Sequence, residues 1–424
     1  MEQTILKQLL TEQKKIFEKE IHIVQRHIPS TIIKTPKIIV ISGVRRCGKS
    51  TLLRQLSKHY PDYHYINFED ERLIDFTYQD FNSLLESFFQ INPKATTFFF
   101  DEIQEVKGWE KFVRRLFTEG YKVFVTGSNA TLLSSEIATS ITGRNMKAIL
   151  YPFSYTEYLS YHDVKLQEIP TTKEKATLSA FFHEYLHYGG FPEIIQSKDF
   201  EELSQIYQDI IIKDLLVRKK IRDTKEFREL SLYLLSNIGK KISYNNLKEL
   251  LEVSTTSKVK NYVDFLQEAY IFFTINKYDP SLKKQLVNKK KIYAIDTGMV
   301  NAVSFQFSKN QGRLLENVVF LDLLRKYPDI YYFEDKKECD FVLKRGGKIT
   351  QVIQVAATIS DPNTYQRELE GLQEAMDAFT LQEGLLLTLD HAEEISVGKN
   401  HIIIKPVWQW LLETNNHKSG NKKE

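Results

Sequence analysis

Cysteine is nearly absent from this chain. Its 424 residues hold two, Cys47 and Cys339. The first lies inside a glycine-flanked loop, which argues against a disulfide framework and fits a reducing compartment. No apolar run approaches the ~20 residues that a membrane-crossing helix requires. The opening stretch, MEQTILKQLLTEQKKIFEKE, mixes both charge signs and has no apolar signal core, so a cytoplasmic protein is expected. Neither charge dominates: 58 Lys and Arg stand against 55 Asp and Glu, a net of +3. Any nucleic-acid surface must therefore be local. No low-complexity linker or internal repeat interrupts the chain before its polar end, residues 415–424 (NNHKSGNKKE), where disorder is expected. What remains is an ordinary globular composition, 42% hydrophobic and 27% charged, long enough for about three domains.

One stretch declares its chemistry. Gly43-Val44-Arg45-Arg46-Cys47-Gly48-Lys49-Ser50 fits the pattern G-x-x-x-x-G-K-S,. The β-branched run Ile38-Ile39-Val40-Ile41-Ser42 precedes it, and a helical segment opening with Thr51-Leu52-Leu53 follows,. In a strand, glycine loop and helix of this kind, backbone N–H groups curl inward toward phosphate oxygens, and the positive helix end adds to them. Residues Gly43, Val44, Arg45, Arg46, Cys47, Gly48, Lys49, Ser50 and Thr51 are thus expected to bind nucleotide. Lys49 would reach the β- and γ-phosphates and Ser50 would ligate Mg²⁺. Arg45 and Arg46 occupy variable positions and are expected to be solvated.

Tyr63-His64-Tyr65-Ile66-Asn67-Phe68-Glu69 reads as a second strand. Thr96-Thr97-Phe98-Phe99-Phe100-Asp101-Glu102 reads as a buried parallel strand ending in two carboxylates,. Functional residues belong at such carboxyl ends. Asp101 is placed to hold Mg²⁺ and Glu102 to polarise an attacking water as general base. A helix over Trp109–Thr118 leads to another core strand that runs into Ser128 and Asn129. Either polar residue would sit beside the γ-phosphate; a strand-to-helix cap is the plainer alternative. Residues 134–142 read as helix, and Gly143-Arg144 precedes a last strand at 146–151. At the other end, residues 1–30 read as an amphipathic helix with Ile5, Leu9 and Ile16 on its apolar face, and 32–36 as an extended piece.

This order of parts resembles the AAA+ ATPases. Thr126-Gly127-Ser128-Asn129, Gly143-Arg144 and Tyr151-Pro152-Phe153-Ser154-Tyr155-Thr156-Glu157-Tyr158 narrow the resemblance. They are similar to a prokaryotic group in which an AAA-type ATPase precedes a restriction-endonuclease-like domain of unknown function. Gly189-Gly190-Phe191-Pro192-Glu193 and Tyr293-Ala294-Ile295-Asp296-Thr297-Gly298 resemble that group's later motifs. The resemblance spans residues 35–410. It implies that ATP is the nucleotide, that Asp101 is the metal-site acid and Glu102 the catalytic glutamate, and that Ser128 or Asn129 is the sensor residue. Arg144 matches the position of an arginine finger, which would neutralise charge on the γ-phosphate. If it acts in trans, the protein is a homo-oligomer; the plain alternative is an arginine bonded to a helix end or a carboxylate. Arg218 and Arg222 are second-sensor candidates on spacing only.

Further along, residues 174–222 read as a helical lid. Three helices then follow, around 225–238, 243–251 and 254–270, and two strand-like runs at 271–278 and 290–295. This is a winged helix-turn-helix plan. Thr255, Thr256, Ser257, Lys258 and Lys260 would lead its recognition helix, and Lys283, Lys284, Lys289, Lys290 and Lys291 would charge its wing. Duplex DNA is then a candidate partner, with a protein-docking or intramolecular role as the alternative. Glu316, Asp340 and the strand through Gln354 and Ala356 resemble a restriction-endonuclease core. Its intact site carries E-x-K where this chain has Gln354-Val355-Ala356. Amide and methyl groups cannot replace a metal-binding carboxylate and a lysine, so an inactive nuclease-like module is expected.

The expected fold is α/β: an AAA+ P-loop NTPase parallel sheet with a helical lid, a winged helix-turn-helix and a restriction-endonuclease-like domain. The expected divisions are an N-terminal helical segment at 1–34, the ATPase core and lid at 35–222, the winged helix at 223–300, the nuclease-like domain at 301–412 and a disordered tail at 413–424. The expected activity is Mg²⁺-dependent ATP hydrolysis acting as a conformational switch. The alternatives are a DNA-binding regulator with ATP as a latch, or an ATP-gated nuclease.

Overall fold

A computed structural model describes residues 2–20, 23–26, 29–128, 143–167, 169–304 and 311–420. Asn129 and the helix expected at 134–142 lie outside the described residues. The chain divides into two compact units, one of residues 1–151 with 268–270, the other of 152–267 with 271–424.

The first unit is a five-stranded parallel sheet in the order β2-β3-β4-β1-β5. Its strands are β1 (Ile38–Ser42), β2 (Tyr63–Asn67), β3 (Thr97–Asp101), β4 (Lys122–Gly127) and β5 (Asn145–Ile149). All five residues of β1 and of β3 are buried, as continuous apolar runs require when helices cover both faces. Ser42 lies opposite Gly127 and Ile149, and Asn67 opposite Asp101. The carboxyl ends are therefore level along one edge. This is the P-loop NTPase fold, and β4 lies between the strand that feeds the loop and the strand that ends in the acids.

The N-terminal helix, Gln3–Glu18, packs into this unit on a different face from the one expected. Leu6, Leu9, Leu10, Gln13 and Phe17 are buried, while Ile5 is 51% and Ile16 68% exposed. The true stripe is interrupted by a polar residue, which hides it from an apolar count. Gln13 is accepted in the core because its amide is satisfied: Nε2 donates to Asn67 O at 3.1 Å and Asp70 Oδ2 at 2.9 Å, and Oε1 accepts from Asn67 N at 2.8 Å. Leu6, Leu9 and Leu10 join one core with Ile38, Val40, Phe98, Phe100 and Val125. A second correction is local: Ser30–Lys34 is a short helix, closed by Thr35 N to Thr31 O at 3.0 Å, where an extended piece was expected.

His64 of β2 is 3% exposed. Its ring lies 4.6 Å from that of Phe88 and 4.8 Å from that of Phe98, centroid to centroid. Burial, with a smaller contribution from the Lys14 charge, lowers its pKa from 6.5 to about 4. The unfolded imidazole takes a proton more readily than the folded one. Stability therefore falls as pH drops from 6.5 toward 4, by about 2 kcal/mol at about pH 5. In His64→Phe the loss of thermal stability between about pH 7 and about pH 5 should shrink by that amount. An unchanged pH dependence in melting scans would contradict this.

The second unit is built on a nine-stranded sheet in the order β13-β14-β12-β11-β10-β9-β7-β8-β6. β6 (Lys241–Ile242) lies between the helices Thr224–Leu235 and Tyr244–Leu250 and pairs antiparallel with β8 (Lys290–Ala294). β8 pairs antiparallel with β7 (Phe272–Lys277), which follows the helix Thr256–Glu268. β7 then pairs parallel with β9 (Asp329–Glu334), so one sheet runs on through β10 (Glu338–Arg345) and β11 (Lys348–Val355). The helix Pro362–Phe379 connects β11 to β12 (Glu383–Thr388), which is parallel to it. β14 (Asn400–Pro406) continues the sheet and β13 (Glu393–Val397) ends it. The last helix is Val407–Gly420. The tail expected from 413 begins within it, where Glu413 accepts from Gln409 Nε2 at 3.0 Å. Among the described residues no helix is long and apolar enough to cross a membrane.

Lys291 was expected on a solvated wing, and here the structure differs outright. The residue is 1% exposed. Its ammonium lies 2.9 Å from Glu316 Oε1, 2.6 Å from Glu338 Oε1 and 2.7 Å from Asp340 Oδ1. Lys291 shares a strand face with the fully buried Tyr293, whose hydroxyl also donates to Glu316, at 2.7 Å. That alternation was the available signal, masked by the run of lysines around it.

Candidate functional site

The loop after β1 takes its shape from two glycines. A Cβ on Gly43 would lie 2.1 Å from Leu150 O, so only hydrogen fits. Gly48 has φ +95°, a conformation nearly closed to other residues, and the helix Lys49–Ser57 starts at the next residue. Arg46 is also left-handed, at φ +66°. Of the two loop arginines expected in solvent, Arg46 is exposed, but Arg45 is half-buried and pairs with Glu69 at 2.8 Å.

Lys49 is 5% exposed. Its ammonium donates to Gly43 O and Val44 O, each at 3.3 Å, and pairs with Glu102 Oε1 at 3.3 Å. Burial, the largest single influence, would lower its pKa; the Glu102, Cys47 and Asp101 charges and the Glu102 hydrogen bond together outweigh it, and the net shift is upward. Burial alone would raise the Glu102 pKa; the Lys49 charge and a Gln104 hydrogen bond bring it below the usual range. Glu102 is therefore ionised. Its Oε2 accepts from Ser128 N at 3.1 Å and Gln104 Nε2 at 2.5 Å. Its backbone is left-handed, φ +50°, which turns the side chain out of the strand.

Asp101 ends β3 fully buried. It accepts from the Thr126 hydroxyl, from Tyr65 OH at 3.2 Å and from the Ser50 side chain. Burial, then repulsion from Glu102, raises its pKa. Thr126 Oγ1 also accepts from Glu102 N at 2.9 Å, so one hydroxyl sets both acids. Neither Thr126 nor Tyr65 stood out in the sequence. Among the described residues the Ser128 hydroxyl is buried without a hydrogen-bond partner. A buried orphan of this kind costs free energy and asks for a ligand or water.

Of the expected site residues, the structure brings together Lys49, Ser50, Asp101, Glu102 and Ser128. Arg144 is not among them. It is exposed, and its carbonyl accepts from Ile38 N at 2.9 Å. That is the start of β1, about 13 Å from the loop at β1's other end. Lys258, an expected DNA contact, is engaged within the chain by Asp223 at 2.7 Å and Glu226 at 2.6 Å. Thr256 donates to Asn245 at 3.0 Å. Thr255, Ser257 and Lys260 are exposed.

The residues fit a magnesium nucleotide. The Gly48 turn leads directly into a helix N-terminus, Lys49 meets two carbonyls and a carboxylate, Ser50 and Asp101 bring together two hard oxygens of the kind Mg²⁺ takes, and among the described residues the Ser128 hydroxyl is unused.

The profile of an AAA domain matches residues 35–159. Domains of unknown function match 179–310 (DUF8612) and 311–410 (DUF4143). The uncharacterized protein MJ1544 of Methanocaldococcus jannaschii is 37% identical over 415 residues, 93% of this chain and 92% of that protein. The chain belongs to the MJ1544 family. An uncharacterized protein of Haemophilus influenzae is 32% identical over 405 residues, 89% of this chain and 95% of that protein. Among solved structures, the replication initiator DnaA bound to AMPPCP and single-stranded DNA aligns with 56% of this chain and 85% of that one, at 14% identity and TM-score 0.29. The Aeropyrum pernix Orc1 protein in complex with DNA aligns with 69% and 91%, at 12% and 0.29. The AAA assignment accounts for the level strand ends and the loop of the first unit.

Proposed function

We propose that this member of the MJ1544 family binds Mg²⁺-ATP at the loop Gly43–Thr51 and hydrolyses it as a conformational switch. The observation that carries the reading is the convergence of Lys49, Glu102 and the unpartnered Ser128 hydroxyl beside Asp101. A bound triphosphate offers Lys49 a stronger partner than Glu102 and releases that carboxylate. Glu102, ionised and steadied by Ser128 N–H and Gln104, then takes the proton of the attacking water. Mg²⁺, when bound at Ser50 and Asp101, supplies charge neutralisation on the phosphates. Ser128 would donate to the γ-phosphate or the water, with Asn129 as the neighbouring candidate. Arg144 acts only in trans on this reading, from another copy of the chain.

In the second unit we read residues 174–222 as lid, 223–300 as winged helix and 301–412 as nuclease-like. The order β6-β8-β7 around three helices supports the winged helix. A helix, three antiparallel strands, a helix and a parallel strand support the nuclease-like core. Its carboxylates converge on an ammonium, and Ala356 lies in the apolar core, which favours an inactive module. With Lys258 tied to Asp223 and Glu226, duplex DNA would rest on Thr255, Ser257 and Lys260. Two buried free cysteines suit a reducing cytoplasm,.

Calorimetry with Mg²⁺-ATP tests the site. Lys49→Ala should weaken binding by about 10- to 100-fold, the range of one charge-assisted contact. Wild-type affinity in that variant would sink it. In the same preparation, turnover raised by duplex DNA and lost in Lys260→Glu would support the DNA role, and turnover indifferent to DNA would favour a protein partner.

A further inference from the structure

Arg26 lies outside every motif discussed above, yet it is 6% exposed. Its Nη1 donates to Cys47 O at 3.1 Å and its Nη2 to Tyr151 O at 2.6 Å. Its backbone is clasped by one side chain: Arg26 N donates to Gln55 Oε1 at 3.0 Å, and Gln55 Nε2 donates back to Arg26 O at 2.9 Å. Gln55 is itself buried, two turns after Lys49 on the helix Lys49–Ser57. A short N-terminal segment is thereby fastened to the helix that begins at the phosphate loop.

We propose that Arg26 is a positioning residue of the phosphate loop. The Cys47 carbonyl belongs to the same planar peptide as the Gly48 N–H, and in a trans peptide the two point in opposite directions. Holding that carbonyl toward Arg26 turns the Gly48 N–H away from Arg26, toward the concave side of the loop. Gly48, left-handed at φ +95°, leaves this peptide open to flipping, and the guanidinium, itself anchored at Tyr151 O, opposes the flip. The guanidinium also places a fixed positive charge near a site built for a polyanion. The inference rests on the nucleotide reading above and adds a residue that no loop motif contains.

The test compares wild type, Arg26→Met and Arg26→Lys for Mg²⁺-ATP affinity, KM and kcat, with nucleotide-free melting curves as the folding control. Arg26→Met should weaken affinity and raise KM about tenfold or more while kcat stays within about twofold. Arg26→Lys, which keeps the charge and a single donor group, should recover part of the affinity. Wild-type affinity in a folded Arg26→Met overturns the inference and leaves the nucleotide reading standing. If Arg26→Met does not fold, Arg26→Lys decides: affinity equal to wild type overturns the positioning role. Wild-type protein that binds no nucleotide overturns the underlying reading instead.

Discussion

Glu102→Gln is expected to lower kcat for ATP hydrolysis by about 10²–10⁴-fold, the usual contribution of a positioned general base, while nucleotide binding is kept. The substitution preserves shape and removes only the charge. Ser128 N–H and the Thr126 hydroxyl that fixes the backbone remain in place. In wild type the Glu102 carboxylate holds Lys49 at 3.3 Å, and on the proposed reading it would compete with phosphate for that ammonium. Without that charge Lys49 is freer for the ligand, so affinity should hold or rise. Binding by calorimetry and turnover by phosphate release separate the two effects. Turnover within a few-fold of wild type would remove Glu102 from the chemistry. A parallel loss of affinity would mean that its pairing with Lys49 is structural.

Lys291→Met is expected to destabilise the second unit by about 3–5 kcal/mol, the cost of breaking a buried ion pair from one side. Its melting transition should fall by roughly 6–20 °C. Three carboxylates share this one ammonium. Burial and the Glu316 charge together push the Asp340 pKa up to about 7 against the pull of Lys291. Removing the lysine raises it further. An acid whose folded pKa lies above its unfolded value costs stability once pH exceeds the unfolded value. The defect should therefore be largest near neutral pH and ease as pH falls toward about 4. The double variant Lys291→Met with Asp340→Asn should recover part of the loss. A pH-independent defect, or a single variant as stable as wild type, would contradict the buried-network account. A nicking assay with Mg²⁺ on the same proteins bears on the nuclease alternative, since metal-dependent cleavage lost in Asp340→Ala would revive it.

What was legible in the chain and what was not follow a physical division. The phosphate loop, the apolar runs of β1 and β3 and the acids at Asp101-Glu102 are contiguous in sequence, because a strand, its loop and the following helix are local structures. Their level alignment at one sheet edge follows from parallel pairing. The helices Thr224–Leu235, Tyr244–Leu250 and Thr256–Glu268 and the strands β7 and β8 were also placed near their true positions by local periodicity, whereas β9, β12, β13 and β14 were not read. By contrast, Thr126, Tyr65 and Arg26 act through partners 25, 36 and 21 residues away, and no local pattern singles them out. The apolar face of Gln3–Glu18 was misplaced because Gln13 is buried by hydrogen bonds to Asn67 and Asp70. Arg144 matched a motif, yet its backbone pairs at the opposite edge from the phosphate loop.

By itself, then, the sequence determined the class of the first unit and which residues its loop places together. Glycines at Gly43 and Gly48, a lysine and two acids after apolar runs leave few other uses for those residues. Only the tertiary structure decided which charges are partnered. It joined Lys49 to Glu102, spent Lys258 on Asp223 and Glu226, and buried Lys291, expected in solvent, in a cluster with Glu316, Glu338 and Asp340. The reason is that burying a charge is costly unless an opposite one meets it. That meeting is made by strands and helices far apart in the chain.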